Sequence, residues 1–175
     1  MNPSEAEKRY IAETKAALAS ADSKVILTKI KELKTTGQVN ILSFILELLK
    51  SNYPVEIHNE VYSLVSDLKY QEGVPIVMEY IGQLKGSDSL AQLISACWQS
   101  QLDYSNYLEI FADCFISGSY QDAIESFTVI EEMLMRSNNT KIENCRTYLL
   151  NRKSEVNNEK IPLFRELIKI LQIDN

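Results

Sequence analysis

The chain has 175 residues, 45% of them hydrophobic and 24% charged, which suits one folded globular domain. Its net charge is −6, with only 5 Gly, 4 Pro, 3 Cys and 1 His. These counts exclude a turn-rich sandwich or barrel, a disulfide framework and a His-rich metal site. The opening MNPSEAEKRY is polar and has no apolar signal core, and no apolar run approaches the roughly 20 residues that span a bilayer. A cytoplasmic chain without a membrane segment is therefore expected. No GxxxxGK[ST] or GxGxxG phosphate loop occurs.

Read in chain order, the apolar residues fall at spacings of three and four, the stripe of an amphipathic helix. Residues 4–19 put Ala6, Tyr10, Thr14, Ala17 and Leu18 on one side. Residues 22–35 put Ile26, Ile30 and Leu33 on one face, ending at Thr35, Thr36 and Gly37. Helices follow at about 38–50, 55–69, 73–84, 88–100, 105–116 and 120–136. The breaks between paired helices are SNYP at 51–54, KGSD at 85–88 and SGSY at 117–120. Ser87 or Asp88 is placed to cap one helix and Ser119 another, while Pro54 and Pro75 suit first-turn positions. The last two helices, 140–156 and 160–172, carry Ile142, Cys145 and Leu149, then Phe164, Leu167, Ile168 and Leu171.

A shift of 33 residues aligns the six central helices as three pairs. Ile41 falls on Val74 and Tyr107, Ile45 on Met78 and Phe111, and Leu48 on Ile81 and Cys114. In the second helix of each pair, Ile57 falls on Leu90 and Ala123, Val61 on Ile94 and Phe127, and Leu64 on Cys97 and Ile130. All six columns are apolar in all three rows. The expected fold is all-α: about ten helices with three central antiparallel pairs, flanked by atypical end helices that cover the last apolar faces.

Residues 37–136 resemble HEAT repeats, antiparallel helix pairs stacked into an α-α superhelix, or solenoid. The stretch SNYPVEIHNEVYSLVSDLK fits the turn and second helix of such a repeat. Ile57-His58 stands where the pattern opens with Val-Arg, and the later units put Leu90-Ala91 and Ala123-Ile124 there. No unit keeps the basic residue, so the likeness rests on repeat length and apolar columns. The whole chain is similar to small uncharacterised bacterial HEAT-like proteins. ARM-like and irregular helical repeats are neighbouring alternatives. The resemblance implies one solenoid domain over 1–175, with capping helices at 1–36 and 137–175.

Charge is unevenly spread. Residues 1–36 carry 7 Lys/Arg against 5 Asp/Glu, residues 37–135 carry 3 against 14, and residues 136–175 carry 8 against 5. On the second helices, Glu56, Glu60, Ser63 and Asp67 recur at spacings of four, three and four. Asp88, Gln92, Ser95 and Gln99 repeat the stripe, and Asp122, Glu125 and Glu132 extend it. HEAT-like stacks line their concave surface with second helices, so the resemblance places this acidic and amide stripe in a groove. The function expected is then a non-enzymatic scaffold or adaptor binding a protein partner through a basic segment, since a groove of one sign attracts ligands of the other. The same stripe also fits a face that is merely solvated. The candidate contacts are Glu56, Glu60, Asp67, Gln92, Gln99, Glu125 and Glu132.

Trp98 shares a mixed column with Val65 and Glu131 and reads either as a packing anchor or as an exposed binding aromatic. Tyr104 and Tyr107 read as packing between units. Cys97, Cys114 and Cys145 lie in apolar helical patterns and read as buried free thiols. No cofactor or metal is indicated, because no loop has calcium-hand spacing. A nucleophilic triad would need His58 as its base, and His58 beside Glu56 and Glu60 reads as a surface residue. A HEAT-like nucleic-acid repair or modifying enzyme is the alternative from another class. It needs clustered Lys/Arg, which the acidic centre lacks. Self-assembly through the chain's ends or exposed aromatics is a third possibility.

Overall fold

A computed structural model describes residues 4–36 and 39–172. Gly37, expected at the end of the second helix, lies outside these residues. Ten α-helices are present, and no strand occurs among the described residues. They are α1 (Glu5–Leu18), α2 (Ser23–Thr36), α3 (Leu42–Leu46), α4 (Val55–Ser66), α5 (Val74–Gln83), α6 (Leu90–Gln99), α7 (Leu108–Ser117), α8 (Tyr120–Met133), α9 (Asn139–Asn151) and α10 (Ile161–Ile170). Turns of 3-10 helix lengthen several of them: Val39–Ile41 and Glu47–Lys50 flank α3, Gln71–Gly73 and Ser105–Tyr107 lead into α5 and α7, and Leu134–Arg136 ends α8.

Consecutive helices pack together, and most also pack on the helix two places along. In one layer α2 lies on α4, α4 on α6, α6 on α8 and α8 on α10. In the other, α1 lies on α3, α3 on α5, and α7 on α9. This is the contact pattern of stacked helix pairs. The repeated columns form the seam between the layers. Every one of those eighteen side chains is buried except Tyr107 and Phe127, which are half-buried against the same core. Their burial supplies the main driving force, at about 1.5–3 kcal/mol for a fully buried aliphatic or aromatic side chain.

Local chemistry sets the helix starts. Ser4 caps α1 by accepting from the Glu7 N–H, and Asn138 caps α9 by accepting from that of Lys141. Ser119 and Asp122 form a reciprocal capping box on α8. Gly118 is required just before it, because a Cβ there would stand 2.6 Å from the Cys114 carbonyl oxygen. Gly86, at φ +80°, turns the chain toward α6 in a conformation that side chains disfavour. Neither Ser87 nor Asp88 caps α6. Ser89 takes that position without a side-chain bond to the helix, and Ser87 Oγ instead accepts from the Ser89 N–H. Pro54 sits at the N-cap of α4, one place before the first turn.

Polar side chains join neighbouring pairs. Gln71 clamps the backbone of Asp103, donating to its carbonyl and accepting from its N–H. Tyr80 donates to Ser43 O and Glu47 Oε2, both at 2.8 Å. Asp113 on α7 accepts from Lys85, Arg152 and the Tyr148 hydroxyl, tying the turn after α5 to α7 and the end of α9. Burial alone would push the Asp113 carboxyl up, but these three donors hold it down at about 2. Lys160 is 1% exposed. Its ammonium donates to Phe115 O, Ile116 O and Gly118 O at 2.9, 2.7 and 2.9 Å, satisfying carbonyls at the end of α7. Burial pulls its pKa down, and the nearby Glu159 and Asp122 oppose that.

Candidate functional site

The second-helix layer exposes a polar face because the stripe opposite its apolar columns is built from Glu, Asp, Gln and Ser. The structure gathers part of the predicted set into one cleft. Asp67 and Ser63 of the α4 end, with Tyr62 and Ser66, face Gln92, Ser95, Ala96 and Gln99 of α6 across about 440 Å³. Tyr62 is half-buried, and burial pushes its phenol above its ordinary pKa while Ser89 opposes the shift.

Lateral hydrogen bonds run along this face from helix to helix. Lys34, in the last turn of α2, reaches Ser63 Oγ at 2.7 Å and Asp67 Oδ2 at 2.9 Å on α4, with Glu60 Oε1 at 3.8 Å. Ser66 donates to Gln99 Oε1 on α6 at 3.3 Å, and Gln99 Nε2 donates to Ser95. The Trp98 indole N–H donates to Glu125 Oε2 on α8 at 3.0 Å, while Gln121 holds the other oxygen of Glu125. Trp98 is half-buried and packs against the core. It is thus both an anchor and, through its N–H, the rim of the polar face between α6 and α8.

The remaining candidates are placed differently. Glu56, Gln92 and Glu132 are exposed, but Glu56 and Glu132 do not line the cleft. Asp122 is 4% exposed and committed to the capping box, so it leaves the stripe. Its signal was legible as Ser119 followed three residues later by an acid. His58 is not a freely solvated residue. It is half-buried, and its Nε2 lies 3.2 Å from both Leu48 O and Ser51 O, where one N–H can satisfy the end of the preceding helix. Lys34, Tyr62 and Ser66 were missed by sequence reasoning. The period carried a signal for them: Lys34 stands 33 residues before Asp67, and Ser66 stands 33 before Gln99.

Cys97, Cys114 and Cys145 are buried, and burial pushes each thiol up to about 12, which removes them as nucleophiles. Among the described residues no three His, Cys, Asp or Glu side chains are grouped as a metal ion requires, and no helix is long and apolar enough to cross a membrane. A smaller recess of about 170 Å³ lies beside Lys34, lined mainly by Leu33, Leu42, Ile45, Leu64, Leu68 and Tyr70. Lys34, Thr35, Asp67 and Lys69 complete its lining, and Asp67 borders both the recess and the cleft. Comparison with protein-family models, curated proteins and solved structures finds no match.

Proposed function

We propose that this chain is a non-enzymatic interaction module, a HEAT-like scaffold or adaptor. It binds a basic segment of a partner protein along the exposed face of α4, α6 and α8, in the cytoplasm and without a cofactor or metal. The observation that carries the reading is the cleft itself. It is lined by the Asp67 carboxylate, the Gln92 and Gln99 amides and the Ser63, Ser66 and Ser95 hydroxyls, and Asp67 and Ser63 already hold one ammonium, that of Lys34. The surrounding region, 37–135, carries 14 Asp/Glu against 3 Lys, so the field around the cleft favours a cationic ligand and opposes phosphate. The 33-residue period and the two-layer stacking support the HEAT-like assignment.

The test is a titration of a fluorescein-labelled peptide of alternating lysine and serine, followed by anisotropy at low and high salt. Wild type is compared with a variant carrying Asp67→Asn, the carboxylate that lines the cleft, together with Glu60→Gln and Glu125→Gln beside it. Saturable binding that weakens with salt and is reduced in the variant supports the reading. Equal binding by both proteins, or none by wild type, refutes it.

A further inference from the structure

Lys34 leaves α2 and lays its side chain across α4, with 22% of it exposed. Its ammonium donates to Ser63 Oγ at 2.7 Å and pairs with Asp67 Oδ2 at 2.9 Å, with the Glu60 carboxylate further off at 3.8 Å. Ser63 and Asp67 also line the cleft, so the lysine stands at one end of the site. Between α4 and α6 the lateral contact is neutral: the Ser66 hydroxyl lies 3.0 Å from Tyr62 O and 3.3 Å from Gln99 Oε1.

We propose that Lys34 is a built-in competitor for this site, its ammonium occupying the acceptors that a partner's lysine or arginine takes. The proposal rests on the cleft being a site for a basic segment. A partner cation that takes the place between Asp67 Oδ2 and Ser63 Oγ sends Lys34 back into water. That exchange is easy in both directions, because a partly exposed ion pair adds little net stability and a released lysine is rehydrated. Lys160 shows the opposite design: it is 1% exposed and fixed by three carbonyls. Of these two lysines, Lys34 alone is placed to yield. It therefore sets a threshold that admits segments presenting several cations and rejects isolated ones.

The experiment uses the full chain and the same lysine–serine peptide. Lys34→Met keeps the aliphatic stem and removes the ammonium, and Lys34→Gln keeps a donor without charge. Both are expected to bind roughly two- to fivefold more tightly than wild type at low salt, with a smaller gain at high salt. Lys24→Met removes an exposed charge elsewhere on α2 and is expected to leave the affinity unchanged. An equal gain from Lys24→Met assigns the effect to net charge and overturns the proposal. Unchanged or weaker binding by both Lys34 variants also overturns it, while measurable wild-type binding leaves the site itself standing. Absence of saturable binding by every protein overturns both.

Discussion

Asp113→Asn isolates the polar link between the turn after α5, α7 and the end of α9. Asp113 is 19% exposed and accepts from Lys85, Arg152 and Tyr148. Its pKa falls from an ordinary 3.8 to about 2, which corresponds to about 2 kcal/mol of stability at neutral pH. Because the folded pKa is the lower one, the unfolded chain takes up the proton first as pH falls. The contribution is therefore complete above pH ~4, about half gone near pH ~3 and lost as pH falls through ~2. Asparagine keeps the shape but not the charge. Urea denaturation of wild type and variant at a series of pH values is expected to show a gap of about 2 kcal/mol at neutral pH that narrows to about half near pH ~3. The many other carboxylates cancel in the difference between the two proteins. A gap that stays constant across that range, or is negligible at neutral pH, refutes the argument that the carboxylate's charge holds this junction.

Three further outcomes follow from the packing. Lys160→Met strips the donors from three carbonyls at the end of α7 and is expected to destabilise by about 2–3 kcal/mol, read by chemical denaturation. Gly118→Ala drives a Cβ into the Cys114 carbonyl oxygen and is expected to destabilise by about 2 kcal/mol or more, exceeding Ser119→Ala, whose lost cap costs about 1 kcal/mol. The three buried thiols are expected to resist a water-soluble thiol reagent in the native state and to react at the rate of unfolding; fast reaction of a native thiol contradicts their placement.

The helices were legible in the sequence because their signal is periodic and repeated three times. The stretch expected at 105–116 is the turn Ser105–Tyr107 followed by α7 (Leu108–Ser117), and that expected at 120–136 is α8 with its closing turn. Lateral chemistry was less legible, because it depends on which side chains meet across helices. Asp122 reads as one more acid on a stripe until the chain folds and its carboxylate turns back to Ser119. Nothing in the sequence singles out Lys160, yet the docking of the turn before α10 onto α7 buries it against carbonyls that no sequence pattern displays. Lys34 and Ser66 carried a usable signal, since polar partners on neighbouring second helices follow the same 33-residue shift as the apolar columns.

The most direct test of the account is to map the bound peptide on the protein. Backbone amide chemical shifts are recorded while the lysine–serine peptide is titrated into the full chain at low salt. Saturable shifts concentrated at Ser63, Asp67, Gln92, Ser95 and Gln99, with the Trp98 indole N–H moving in step, are the result expected of a basic-segment site on this face. Shifts gathered on α3, α5 and α7 instead, or none at saturating peptide, contradict it.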